Sequence, residues 1–314
     1  MYEPAEHEAT VDWNDVRLAG TLHLPRCEEP VPVVLMMQGS GPSDRHSNGY
    51  FPAIRDTFLE RGIATYAFDK PGCGGSTGDW RDHALEERAD QAVAVLQVLA
   101  EHPAVDRKRV GVWGQSQGGW LAQIIASRTP GLMFAVANSG PSIGVEEQDL
   151  YGCEHTMRAA GRAEGEIEQA LAFMRATHEE ARRGTDYAAL EAMLLRQART
   201  EPWIEFATIE DEKDWELTAR FVRERYDPCK EMARITCPYL AIYGGLDVLV
   251  PAWWSATQTG HALQAARNDD AAVVVFPNGD HRIRNAATGD FVAGYLDLLG
   301  DWTARHAERA RDRT

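Results

Sequence analysis

Gly114-Gln115-Ser116-Gln117-Gly118 is a G-x-S-x-G pentapeptide set between an apolar strand and an amphipathic segment. Val110-Gly111-Val112-Trp113 precedes it, and Trp120-Leu121-Ala122-Gln123-Ile124-Ile125-Ala126 follows it. A serine on such a sharp strand-to-helix turn is lifted off the sheet with its hydroxyl exposed. The flanking glycines are needed because the turn leaves no room for a Cβ. The backbone N–H groups beside it, at a helix N-terminus, face any negative charge that develops at the hydroxyl. The pentapeptide alone is a moderate signal in a chain with 27 glycines. Its strand–turn–helix setting makes Ser116 a candidate nucleophile rather than an ordinary turn serine.

A serine nucleophile needs a base and an orienting acid. Cys237-Pro238-Tyr239-Leu240-Ala241-Ile242-Tyr243 reads as a buried strand, and the loop after it carries Asp247. A second apolar run, Ala272-Val273-Val274-Val275-Phe276, leads into Pro277-Asn278-Gly279-Asp280-His281. Both groups therefore lie just past strand C-termini, where open α/β sheets place their ligands and chemistry. Asp280 competes with Asp247 as the acid, but neighbouring side chains in an extended loop point apart, which favours Asp247. The order Ser, Asp, His is that of α/β-hydrolases and differs from other triad folds.

On these residues the chain resembles the α/β-hydrolases, in the serine esterase and acyl-peptidase-like part of that superfamily. The resemblance runs from about Val11 to about Leu299 and is weakest between Ile143 and Met232. Gln38-Gly39-Ser40-Gly41-Pro42-Ser43-Asp44-Arg45 resembles the oxyanion loop of the family, with Gln38 in place of the usual histidine. Phe68-Asp69-Lys70-Pro71-Gly72-Cys73-Gly74-Gly75-Ser76 resembles its D-x-x-G-x-G-x-S loop. The resemblance implies that the backbone N–H groups of Ser40 and Gln117 form the oxyanion hole. Asp44 and Arg45 are expected to pair and fix the loop that carries Ser40.

The remaining pattern alternates strand and helix around one interruption. Residues 10–24 read as a β-hairpin with Asn14-Asp15 at the turn. Residues 31–37 form a run suited to a strand buried on both faces, and residues 63–68 read as the next strand. Ile54, Phe58 and Leu59 mark a helix ending at Gly62. Leu85, Ala89, Ala92, Val93, Leu96 and Leu99 mark a long one. A strand follows at 132–137, and helices are expected at 253–267 and 291–306, with 305–314 a frayed charged tail. The expected fold is α/β: a doubly wound, mostly parallel sheet with an N-terminal hairpin and an inserted helical cap. Residues 1–142 and 233–314 would form the core, and 143–232 the cap.

Within 143–232, helices are expected at 159–178, 186–199 and 215–226, with no convincing strand. The segment carries 21 Asp and Glu against 12 Lys and Arg, which disfavours a strongly anionic substrate. Trp203 and Phe206, in an irregular stretch between helices, and Trp253, just after the acid loop, are candidate substrate contacts. Packing of the cap onto the body is the competing reading for Trp203 and Phe206, and packing under the following helix is the one for Trp253 or its neighbour Trp254. Cys153-Glu154-His155 lacks a second pair at zinc spacing, so no metal is expected. The expected chemistry uses only groups of the chain, so no cofactor is expected.

Several partners are excluded by composition. A formal net charge of −16 repels a nucleic acid. No run approaches the roughly 20 apolar residues of a membrane span, and Met1 to Glu8 lacks the apolar region of a signal peptide. Five scattered cysteines, Cys27, Cys73, Cys153, Cys229 and Cys237, fit a reducing cytoplasm. The expected partner is a small-molecule acyl substrate, with homodimerisation left open. The leading expectation is hydrolysis of a carboxylic ester or thioester of a small to medium, mostly apolar molecule. Amide or peptide hydrolysis, acyl transfer or cyclisation, and a non-catalytic receptor on the same fold are the alternatives.

Overall fold

Seven apolar residues in succession can form a strand only if both faces of its sheet are covered. β3 (Val31–Met37) is such a strand, and all seven residues are buried. The computed structural model describes residues 5–26, 28–129, 131–207 and 209–312, so Cys27 lies outside the described residues. Val33, Leu35 and Met37 point into one hydrophobic cluster and Val34 and Met36 into another, as the two-residue period of a strand requires.

The eight strands among the described residues form one sheet in the order β1-β2-β4-β3-β5-β6-β7-β8. β1 (Ala5–Trp13) and β2 (Val16–Leu24) make the hairpin, turning at Asn14 with a positive φ of 51°. β2 runs antiparallel to β4 (Ala64–Phe68). From β4 onward every pairing is parallel, through β3, β5 (Val105–Gln115), β6 (Ala135–Asn138), β7 (Tyr239–Gly244) and β8 (Ala271–Phe276). Parallel neighbours need crossovers, and helices supply them on both faces.

α1 (Phe51–Leu59) and α11 (Tyr295–Asp312) pack on one face, the side of Trp113, Phe58 and Leu299. α2 (Leu85–Ala100) and α3 (Gln117–Arg128) pack on the other. α10 (Ala252–Ala265) connects β7 to β8. α11 starts at Tyr295, later than the pattern implies, because Phe291 is drawn into a bridge between its own backbone and Arg284. The tail expected to fray is helical to Asp312: His306 Nε2 meets Asp270 Oδ1 at 2.9 Å, and Ala307 is buried.

Between β6 and β7 the described residues contain helices and no strand, with a 3-10 turn at Ile204–Phe206 besides the α-helices. These are α4 (Val145–Ala159), α5 (Glu164–Arg183), α6 (Tyr187–Leu190), α7 (Arg196–Ala198), α8 (Glu212–Glu224) and α9 (Pro228–Met232). A π-helical turn, Glu191–Leu195, joins α6 to α7. α4 has no counterpart in the sequence reading, and α5 begins later than expected, at Glu164. Met157, Ile167, Leu190, Trp215 and Val222 belong to a hydrophobic cluster of this segment's own. Charged pairs tie α8 to the body: Arg81 meets Asp211 at 3.0 Å, and Lys213 meets Asp79 at 3.0 Å and Asp82 at 2.9 Å. No helix among the described residues is long and apolar enough to cross a membrane.

Candidate active site

β5 drives straight into α3, and the residue at the junction must reverse the chain within one step. Ser116 does so with φ 57° and ψ −119°, a region that costs a non-glycine residue on the order of 1–3 kcal/mol. Its surroundings hold it there. The Ser116 N–H donates to Asn138 O at 2.9 Å, and its carbonyl accepts from Gly119 N at 2.7 Å. Asn138 is itself pinned between buried tyrosines, donating to Tyr50 Oη at 3.2 Å and accepting from Tyr295 Oη at 2.8 Å. A Cβ on Gly114 would overlap the Gly118 carbonyl, and one on Gly118 would overlap the carbonyl of Met37. The two glycines of the pentapeptide are therefore steric requirements.

Asp247 and His281 lie just past β7 and β8. His281 Nδ1 meets Asp247 Oδ2 at 2.7 Å, with the carboxylate side chain fully buried and the imidazole 14% exposed. Asp247 Oδ1 accepts from Leu249 N at 2.7 Å and Val250 N at 2.9 Å, so the loop backbone orients the carboxylate. Asp280 is used otherwise: its Oδ1 accepts from Arg282 N at 2.7 Å and Arg284 N at 2.8 Å. It shapes the turn that carries the histidine.

Ser40, Ser116 and Gln117 line one cavity of about 590 Å3. The opposite wall comes from α4, α5 and α8 and from the stretch around Phe206. Phe206 thus stands in the cavity wall, but the two tryptophans singled out with it do not. Trp203 is buried 5.3 Å from the ring of Phe173, and its Nε1 donates to Gln169 Oε1 at 3.0 Å. Its ring is consumed by packing between helices. Trp253 is 60% exposed on the first turn of α10 and is not among the residues that line the cavity.

Two of the groups that fasten the loops around Ser116, Lys70 and Arg88, were passed over in the sequence reading. Lys70 Nζ donates to the carbonyls of Gly39 and Gly41, which bracket Ser40. Burial and the nearby Arg88 push the Lys70 pKa well below the ordinary lysine range. Gln38, in place of histidine, donates to Phe68 O at 2.5 Å and Asp44 O at 3.1 Å, joining the same two loops. Arg45 does not pair with Asp44. Its guanidinium grips Asp69 through two contacts, at 2.8 and 3.1 Å, because Asp69 offers a buried carboxylate while Asp44 caps His46 N. Arg88 contacts the Gln117 side chain and donates to His83 O at 2.8 Å and Trp80 O at 2.9 Å. Burial draws its pKa down to about 10. One signal was available, since Arg88 falls on the apolar stripe of α2, three residues after Leu85 and one before Ala89. The described residues contain no group of three or more His, Cys, Asp or Glu side chains arranged to hold a metal.

Over 127 residues the chain is 34% identical to esterase FrsA of Yersinia pestis (strain Pestoides F), a match covering 40% of this chain and 29% of that protein. The chain thus spans less than a third of that relative. 2,6-Dihydroxy-pseudo-oxynicotine hydrolase superposes with a TM-score of 0.59 at 19% identity, over 97% of this chain and 68% of its own. Est1E from Butyrivibrio proteoclasticus, solved with ferulic acid bound, gives 0.60 at 16% identity, over 97% and 99%. The Pyrococcus furiosus esterase Pf2001 gives 0.60 at 16%, over 99% and 91%. At these identities the likeness is one of fold, and the fold is that of the α/β-hydrolases. Residues 14–282 match the X-Pro dipeptidyl-peptidase (S15) family, and the chain belongs to that family of hydrolases.

Proposed function

We propose that the protein is a serine hydrolase that cleaves a carboxylic ester or thioester of a small to medium, mostly apolar molecule through an acyl-enzyme. The observation that carries this reading is the 2.7 Å contact of His281 Nδ1 with Asp247 Oδ2 in the loops after β7 and β8, in a sheet whose β5 ends at a serine held at positive φ. Asp247 keeps the Nδ1 proton in place, leaving Nε2 as the base for the Ser116 hydroxyl. Attack on the acyl carbonyl forms a bond to Ser116 Oγ and places negative charge on the former carbonyl oxygen. The N–H groups of Ser40 and Gln117 receive that oxyanion, with Lys70 holding the first loop and the α3 N-terminus supporting the second. Collapse expels the alkoxide or thiolate, which takes the proton from His281. Water activated by the same imidazole then releases the acid.

Residues 143–232 act in this reading as a lid that covers the strand ends and excludes water. The four described cysteines, Cys73, Cys153, Cys229 and Cys237, are free thiols, which suits a cytoplasmic setting. Peptide cleavage after proline is the second reading, favoured by the family match. It uses the same groups but requires His281 to protonate a leaving amine. A panel of p-nitrophenyl esters, acyl thioesters and Gly-Pro-p-nitroanilide separates the two. Ester turnover at least tenfold above anilide turnover supports the first reading, and the reverse order replaces it with the second.

A further inference from the structure

The α4 residues that line the cavity recur with helical spacing: Val145, Gln148, Asp149, Gly152, Cys153 and Thr156. A helix face turned toward an interior is ordinarily an apolar stripe. Here half of the face is polar. Opposite it, on α5, stands His178, only 3% exposed and lining the same cavity. Three buried polar atoms of this group have no hydrogen-bond partner among the described residues: Gln148 Oε1, Thr156 Oγ1 and His178 Nδ1. A buried polar atom left unpaired costs about 1–3 kcal/mol, and such atoms in native proteins call for an explanation. All three belong to residues that line one cavity, which points to a ligand.

The chemistry of the three atoms defines what they would accept. Gln148 has its amide nitrogen engaged by Leu249 O, so its remaining oxygen is an acceptor. His178 Nε2 lies 3.5 Å from Asp149 Oδ2; with the proton on that nitrogen, Nδ1 presents a lone pair. Glu146, 3.8 Å from Nδ1, is beyond hydrogen-bond distance and is held by Arg182. Thr156 contributes a hydroxyl that both donates and accepts. We propose that this wall is a polar subsite for the distal end of the substrate, and that it selects an end group that donates hydrogen bonds, a hydroxyl or an ammonium. The inference rests on the acyl-enzyme reading for the near end of the substrate. It places a second point of recognition on α4 and α5, across the cavity from Ser116.

The test uses p-nitrophenyl esters of increasing chain length whose acyl ends are methyl, methoxy, hydroxyl or ammonium. At one chain length the donor-bearing ends should exceed methyl and methoxy in kcat/KM by about tenfold or more. Thr156→Val, nearly isosteric, and His178→Phe should bring that ratio to within about twofold of one. Melting temperatures and fluorophosphonate labelling of Ser116 in each variant report folding and the triad separately. Calorimetric binding of the corresponding amides to Ser116→Ala protein reads the same ratio without chemistry, so failure of the acyl-enzyme reading leaves this inference testable. Equal rates and affinities for all four ends in the wild type, or a preference that survives in both variants, overturn it. Hydroxyl above ammonium, or the reverse, identifies which donor the site takes.

Discussion

Replacing Asp247 with asparagine alters one atom of the proposed triad and almost nothing else. Asp247 Oδ1 accepts from Leu249 N and Val250 N, while Oδ2 faces His281. Asparagine keeps the first oxygen and turns an amide NH2 toward Nδ1, so the loop survives while the imidazole loses its acceptor. Nδ1 must then accept, the proton moves to Nε2, and Nε2 can no longer serve as the base for Ser116. Loss of the triad carboxylate by this route lowers kcat by about 10^4, or roughly 5.5 kcal/mol at 1.36 per decade. Asp280→Asn is the matched control, because its Oδ1 also accepts two backbone N–H groups that asparagine retains. Its expected cost is about tenfold or less in kcat. Steady-state ester hydrolysis, with melting temperatures recorded for both variants, provides the comparison. A larger loss in Asp280→Asn, with both proteins folded, refutes the assignment of Asp247 as the acid.

Two further outcomes follow from residues in and beside the helical segment. Trp203→Ala should lose about 3–5 kcal/mol of stability, as buried aromatic truncations do, without altering chain-length preference. Phe206→Ala should shift relative kcat/KM across ester lengths by about 1–3 kcal/mol with little change in melting temperature. Parallel effects in the two variants would contradict their placements. Asp79 has its carboxyl held well below the usual aspartate range, chiefly by the Arg81 guanidinium and then by the Arg81 N–H and Lys213. Its folded pKa is depressed, so its stabilisation is complete above the unfolded value of about 3.9 and declines as the pH falls below that. Asp79→Asn should lower Tm by about 2–4 °C at pH 7, for about 1 kcal/mol from a partly exposed network. The difference from wild type should shrink toward pH 3. A difference independent of pH would mean that the carboxylate is not what ties α8 to the body.

The strands were legible because a parallel sheet covered on both faces demands unbroken apolar runs, and β3, β7 and β8 have them. The elbow was legible because Gly114 and Gly118 have no room for a side chain. The positions of Asp247 and His281 followed from these elements, since strand ends locate loops even when loops have no pattern of their own. α4 was missed for a physical reason. Only Val145, Cys153 and Met157 of its fifteen residues are buried, and half of its cavity face is polar, so no hydrophobic period marks it. Arg88 and Lys70 were missed because charged residues are normally read as solvated, whereas here both are buried and tie the loops around Ser116. Trp203 and Trp253 show the converse limit. An aromatic side chain carries no signal of whether it packs, lines a cavity or faces solvent.

Fluorophosphonate labelling followed by peptide mass mapping decides whether Ser116 is the nucleophile of this protein. One adduct per chain is expected, on Ser116, with loss of both labelling and ester turnover in Ser116→Ala at an unchanged melting temperature. Labelling that persists in the folded variant, or turnover that does not need this hydroxyl, contradicts that assignment.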